Sequence, residues 1–168
     1  LMSGEIDVTS ADSSIPLTDW DAAKSAKNIE TMSLPSFGYQ TMVVNTQHLP
    51  QEVRQAINIA VNRDTLVQSL LLGEGRPVIG PLVENHPYFN QAMLPIEYNP
   101  EKAAQIIKNS GFDTSKTLKM LVSTGNTIRQ NTAVLIQQDL QKIGLKVEIQ
   151  TLDFPTLLTN TRNGDFDF

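Results

Sequence analysis

The sequence lacks cysteine, an excess of basic residues and any long apolar run. The absence of cysteine excludes a disulfide framework, a thiolate nucleophile and a thiolate metal site. No stretch approaches the ~18 consecutive apolar residues that a membrane-spanning helix needs. The formal net charge of −5 argues against a nucleic-acid partner, because proteins that bind nucleic acid usually carry a basic patch.

Sequence patterns of catalysis are also missing. None of HExxH, GxSxG or GxxxxGK[ST] occurs, so the usual zinc, serine-hydrolase and phosphate-loop signatures are absent. His48 and His86 lie far apart in predicted loops, where a solvated side chain is more common than a ligand or a base. Asp165 and Asp167 share one face of a predicted strand, which is more typical of a solvated strand edge than of an acid–base pair. We expect no catalytic residue, no cofactor and no metal ion.

The composition is that of a globular domain. Hydrophobic residues make up 40% and charged residues 18% of the 168 residues, a length that buries ~70% of the unfolded surface. Periodicity and turn residues predict a strand over 5–9, a helix over 16–28 and β-rich runs over 29–35 and 38–46. They also predict a helix with Val53, Ile57 and Val61 on one face, a helix over 65–72 capped by Asp64, and a helix that starts at Pro100 after an Asn99 cap.

Residues 117–152 have the pattern of a βαβ unit. Leu118, Met120 and Val122 alternate on one face of a predicted strand over 117–123. A helix over 127–143 follows, and 145–152 alternates again. The sequence therefore predicts an α/β fold in which these two strands are parallel and neighbouring, with a right-handed crossover.

The turn that follows the first of these strands is a candidate ligand site. Ligands of open α/β sheets collect beyond the carboxyl ends of the strands, where helix N-termini present unpaired N–H groups. Gly125 allows close backbone approach and Asn126 can cap the helix. The helix dipole disfavours a cation such as Arg129 in the first turn, which favours an incoming carboxylate as its partner; an arginine that simply extends into solvent is the alternative. Phe154, after the second strand, is either a core residue or an exposed platform, and the residues alone favour the core.

The motifs together identify a family. The segments "VRQAINIAVNRDTLV", "LLGEGRPVIGPL", "YNPEKAAQIIKNSGF", "IQQDLQKIGLKVEIQ" and "GDFD" occur in an order that resembles the oligopeptide, dipeptide and nickel solute-binding proteins of ABC importers. The likeness runs nearly from end to end. One departure is "HLPQEVRQA", which lacks the phenylalanine and the first Val-Arg of the usual entry to this helix.

The resemblance implies one lobe of a two-lobed, periplasmic-binding-protein-like fold with a mixed sheet and flanking helices. It implies that residues 1–34 are a hinge-proximal segment, and that 35–168 are a ligand-binding C-terminal lobe cut before the chain returns to the other lobe. The residues that it places near the ligand are Gly73 and Gly75 in the loop at the rim of the cleft, Gly125, Asn126 and Arg129 before the long helix, Phe154 at an aromatic position, and Arg162 at a basic one.

The resemblance also implies a function and partners. We expect extracytoplasmic binding of a small peptide, in the periplasm or on a lipid-anchored protein at the outer face of the membrane, and delivery to a membrane permease. The missing N-terminal lobe would be the other partner. Family members that bind nickel, haem or opines leave other ligands open. An α/β enzyme domain acting on a peptide-like or ester substrate is the alternative, and an interaction module without a small ligand is a third.

Overall fold

The computed structural model describes residues 1, 3–9, 17–34 and 36–168, which divide into two compact units, Leu1–Phe37 and Gly38–Phe168. In the first unit, a 3-10 turn over Leu17–Asp19 leads into α1, Trp20–Ser25. The predicted helix over 16–28 is therefore shorter, and its Pro16 lies outside the described residues. The strand predicted over 5–9 is wrong. No backbone hydrogen bond that the structure describes joins this run to a partner segment, and a lone run cannot form a ladder.

The second unit contains five helices and two strands among the described residues. They are α2 Gln51–Ala60, α3 Arg63–Leu71, α4 Pro100–Asn109, β1 Thr117–Ser123, α5 Thr127–Lys142, β2 Lys146–Leu152 and α6 Phe154–Arg162. The predicted start of α4 is confirmed, because the Asn99 side chain accepts from the Lys102 N–H at 2.9 Å and Pro100 is the first helical residue. The β-rich runs over 29–34 and 38–46 carry no assigned strand in the part of the chain that is described.

The cap of α3 differs from the prediction. Asn62, and not Asp64, is the N-cap residue, and its side chain accepts from the Thr65 N–H at 2.9 Å. A cap accepts from the second or third helical N–H, so the choice of Asn62 places the start of the helix at Arg63 and Asp64 inside its first turn. The carboxylate of Asp64 is still favourable there, because it faces the positive end of the helix dipole.

The βαβ unit is confirmed. β1 and β2 are parallel neighbours in a register that runs from Thr117 beside Lys146 to Ser123 beside Leu152. α5 packs against both strands. Leu118, Met120 and Val122 are buried on one face of β1, as their alternation predicts, and they join one apolar core with residues of α2, α4 and α5.

The segment 165–168 lies along the other edge of β1. The Phe168 N–H donates to the Lys119 carbonyl and the Leu121 N–H donates to the Phe168 carbonyl, each at 3.0 Å. These two bonds flank Met120, as they do when two paired residues lie on parallel strands, so Phe168 is the parallel partner of Met120. On its far side, the Asn45 N–H donates to the Asp167 carbonyl at 3.0 Å. β1 is therefore the central element of this layer, between β2 and the segment that the sequence predicts as a short strand.

Candidate functional site

The carboxyl ends of β1 and β2 meet at one edge of the sheet, formed by residues 123–126 and 152–154 and called here the carboxyl edge. Ser123 lies beside Leu152 in the ladder, and the Thr124 N–H donates to the Leu152 carbonyl at 2.8 Å. α5 and α6 both begin at this edge. Since the first N–H groups of a helix have no partner within the helix, two sets of donors face outward here.

The turn into α5 combines open space with polar groups. Gly125 has a φ of 81°, and nothing lies within 4 Å of where a Cβ would be. The side-chain oxygen of Asn126 accepts from the Arg129 N–H at 2.9 Å, which confirms the predicted cap. Within the described ranges, the amide nitrogen of Asn126 has no hydrogen-bond partner and no carboxylate pairs with the exposed guanidinium of Arg129. This turn therefore offers an amide donor and a cation to a ligand.

The turn into α6 supplies a carboxylate and an aromatic ring. Asp153 accepts from the Thr156 N–H at 3.0 Å and from its hydroxyl at 2.8 Å, and these bonds hold the pKa of Asp153 below its ordinary value. The side chain of Phe154 is 60% exposed, so the preference for a core position is wrong. Phe154 is the first residue of α6 and follows the last paired residue of β2, so it lies beyond the end of the sheet.

The carboxyl edge thus brings together Gly125, Asn126 and Phe154 of the predicted residues, and Arg129 lies in the first turn of the helix that begins there. It adds Asp153, which the sequence analysis missed. The signal for Asp153 was present, because an aspartate that follows a strand and precedes a proline in the next helical turn is a typical helix cap. Opposite charges beside an exposed ring suit a zwitterion with an apolar body. In the described part of the chain, no group of three or more His, Asp or Glu side chains could hold a metal ion.

Arg162 lies elsewhere. It is the last residue of α6 and lines a hollow of about 390 Å³ together with 44–47 and 163–164. Because Phe168 pairs with Met120 in parallel, the residues just before 165 lie near the amino end of β1. The structure therefore does not bring Arg162 together with the residues of the carboxyl edge.

Gly73 and Gly75 have local roles at the end of α3. Gly73 has a φ of 80° and its N–H donates to the Val67 carbonyl at 3.2 Å, which ends the helix. A Cβ on Gly75 would lie 2.7 Å from Cδ1 of Leu71. Their place at the rim of a cleft stays a prediction.

Asp167 and His48 form a contact that the sequence analysis did not foresee. Nδ1 of His48 lies 3.0 Å from Oδ1 of Asp167, and Oδ2 accepts from the Lys119 N–H at 2.7 Å. The Asn45 amide donates to the carbonyls of Gly164 and Phe166. These bonds hold 164–168 between β1 and the 45–48 turn, so Asp167 has a structural role.

None of the helices in the described ranges has both the length and the apolar character needed to cross a membrane.

Comparison with known proteins identifies relatives. The model of the family described as "Bacterial extracellular solute-binding proteins, family 5 Middle" matches residues 1–168. The oligopeptide-binding protein AppA of Bacillus subtilis (strain 168) is 30% identical over an alignment 176 residues long, which covers 91% of this chain and 32% of that protein. The glutathione-binding protein GsiB of Escherichia coli (strain K12) is 28% identical over 142 residues, covering 83% of this chain and 28% of that protein.

A solved structure supports the same relationship. The structure of AppA from Bacillus subtilis in complex with a nonapeptide superposes with a TM-score of 0.78 at 26% identity, over 91% of this chain and 34% of that one. The α/β fold is therefore shared with part of a two-lobed periplasmic binding protein. The chain spans about a third of the length of these relatives.

Proposed function

Because the chain belongs to family 5 of the bacterial extracellular solute-binding proteins, we propose that it supplies one wall of a peptide-binding cleft in an importer's solute-binding protein. The observation that carries this proposal is the carboxyl edge, where the open turn at Gly125 is hydrogen-bonded to the strand end that precedes Asp153 and the exposed Phe154. The complex of AppA with a nonapeptide supports a peptide as the ligand.

Each group at the carboxyl edge has a proposed part in binding. The guanidinium of Arg129 meets a carboxylate of the peptide. It is available for this because no carboxylate among the described residues pairs with it. The amide nitrogen of Asn126 donates to a peptide carbonyl, while its oxygen keeps the helix cap. Phe154 packs against an apolar side chain, and Gly125 lets the peptide backbone approach. Binding of this kind relies on backbone and charge, so it tolerates varied side chains.

The other partners belong to the same proposal. A second lobe closes over the ligand from the opposite side, since the chain spans only about a third of AppA. The closed form then docks on the membrane permease of an ABC importer. The protein acts outside the cytoplasm, in the periplasm or held by a lipid anchor at the outer face of the membrane, which fits the extracellular description of the family. The proposal includes no chemical step, in keeping with a family of solute-binding proteins.

Native mass spectrometry of the whole protein, purified without added ligand, tests this proposal. We expect a mass excess that disappears on mild unfolding and is then identified as one or more peptides. A retained ligand that is not a peptide would contradict the peptide assignment. Turnover of a peptide or an ester would favour the α/β enzyme reading, and a protein that holds no small ligand and takes up none would favour an interaction module.

A further inference from the structure

A small hollow lies at the start of α3, among residues that the proposed peptide site does not use. Its volume is about 120 Å³. Val61 lines it, and four more apolar lining residues come from two stretches of the long loop between α3 and α4: Pro77, Ile79, Pro95 and Ile96. Arg63 and Asp64, the first two residues of α3, supply its charged groups. The hollow is therefore a mainly apolar recess with one cation and one anion among its lining residues.

Arg63 is an unusual cation, because every acceptor that the structure gives it is neutral. Its guanidinium donates to the carbonyl oxygens of Asn58 at 2.8 Å and Val61 at 3.4 Å, and to the side-chain oxygen of Asn58 at 2.5 Å. No carboxylate of the described residues pairs with it. The side chain is half-buried, and this burial lowers the pKa of Arg63. A partly desolvated charge without a counter-ion is costly, and an incoming anion would relieve that cost.

The unused donors of Arg63 match one anion geometry. A guanidinium has five N–H donors, and the three bonds above leave two. Two N–H groups of one guanidinium suit the two oxygens of a carboxylate, which arginine binds with a fork geometry that lysine cannot reproduce. Asp64 disfavours a doubly charged phosphate more strongly than a singly charged carboxylate. The apolar residues around the recess favour a ligand with carbons behind its charge.

We propose that this hollow binds a small monocarboxylate with a short aliphatic body. The carboxylate accepts from the remaining N–H groups of Arg63, and the carbons pack against Pro77, Ile79, Pro95 and Ile96. The site shares no residue with the carboxyl edge, so its failure would leave the proposed function untouched. Because the ligand has so few atoms, we expect a Kd on the order of 1 mM.

Titration of the isotope-labelled protein with propionate, followed by ¹⁵N NMR, tests the proposal. We expect saturable shifts of the Arg63 side-chain signals and of the amides of 61–64. Propionamide has the same shape without the charge, and it should cause no saturable shift. Equal shifts with propionamide, or shifts with propionate that do not saturate, would overturn the proposal.

Three variants make the test specific to this hollow. Arg63→Lys keeps the charge but loses the fork, and we expect at least a tenfold weaker Kd. Asp64→Asn removes the competing negative charge and should tighten binding several-fold. Ile79→Trp fills the recess without altering Arg63 and should abolish binding, which covers the case in which Arg63→Lys does not fold. Arg162→Ala, which removes an exposed arginine at the end of α6, is the control and should bind propionate unchanged. Unaltered affinity in both Arg63→Lys and Ile79→Trp would exclude the site.

Discussion

The N–H of Thr124 donates to the carbonyl of Leu152 at 2.8 Å, immediately beyond the last register pair of the parallel ladder. This bond ties the two turns of the carboxyl edge to each other. Asn126 lies two residues after one partner and Phe154 two residues after the other. The predicted ligand residues of two separate sequence segments are therefore held on one rigid frame, which is the arrangement that a binding surface requires.

Arg129→Ala should weaken peptide binding by the whole protein by about 1.5–3 kcal/mol, the usual range for a hydrogen bond to a charged group. Thermal stability without ligand should hardly change, because an exposed cation in the first turn contributes little to the helix. Isothermal calorimetry with a synthetic nonapeptide measures the first effect. Arg162→Ala is the matched control, because it also removes one arginine, but at the end of α6 that is remote from the carboxyl edge. Equal losses in both variants would contradict the assignment of Arg129.

Asn126 should have two separable roles. Asn126→Ala removes the cap of α5 and should destabilise the fold by about 0.5–2 kcal/mol in urea denaturation. Asn126→Ser keeps a capping oxygen, so its stability should stay close to that of the original protein, but it loses the amide donor and should bind peptide more weakly. If Asn126→Ser binds as well as the original protein, the amide nitrogen takes no part in the site.

Phe154→Ala should weaken peptide binding by roughly 1 kcal/mol while changing the free energy of unfolding by less than about 0.5 kcal/mol. The reason is that its ring is 60% exposed and so contributes little to the core. Leu140→Ala is the contrasting variant, because Leu140 is fully buried and its truncation should cost about 2–5 kcal/mol. A large loss of stability in Phe154→Ala would instead indicate that Phe154 belongs to the core.

Lys142 should stabilise the fold at neutral but not at strongly alkaline pH. Its hydrogen bond to Asp139, 2.8 Å long, raises the pKa of Lys142 above the ordinary 10.5. A raised pKa in the folded state gives a contribution that is complete below the unfolded value and is lost as the pH rises through the folded one. Because the lysine is exposed, we expect Lys142→Met to cost only about 0.2–1 kcal/mol at pH 7. In denaturant titrations this difference should shrink as the pH rises past the ordinary 10.5, and a difference that stays constant would contradict it.

Local patterns predicted the βαβ unit because each signal there acts within a few residues. The alternation of Leu118, Met120 and Val122 sets which face of β1 is buried, and the Asn126 cap sets where α5 begins. The exposure of Phe154 depends instead on where the sheet ends, and the periodicity of the sequence does not predict that.

Long-range contacts were the least predictable. The contact between His48 and Asp167 joins residues 119 positions apart, so neither local sequence predicts the contact with the other. Arg162 shows the same limit. Its residue type suits a ligand site, but only the parallel pairing of Phe168 with Met120 reveals that it lies toward the opposite end of the sheet.

The 168-residue chain by itself should bind peptide weakly or not at all. Affinity in a two-lobed binder comes from closure on both sides, and a typical site encloses 70–90% of a small ligand's surface. If each lobe supplies about half of a micromolar binding energy of ~8 kcal/mol, the carboxyl edge alone retains a Kd on the order of millimolar. Calorimetry of this chain with a synthetic nonapeptide should therefore give no measurable heat at micromolar concentrations, whereas the whole protein should saturate. Micromolar binding by residues 1–168 would mean that this chain holds the entire site, and the proposal of a cleft shared with a second lobe would be wrong.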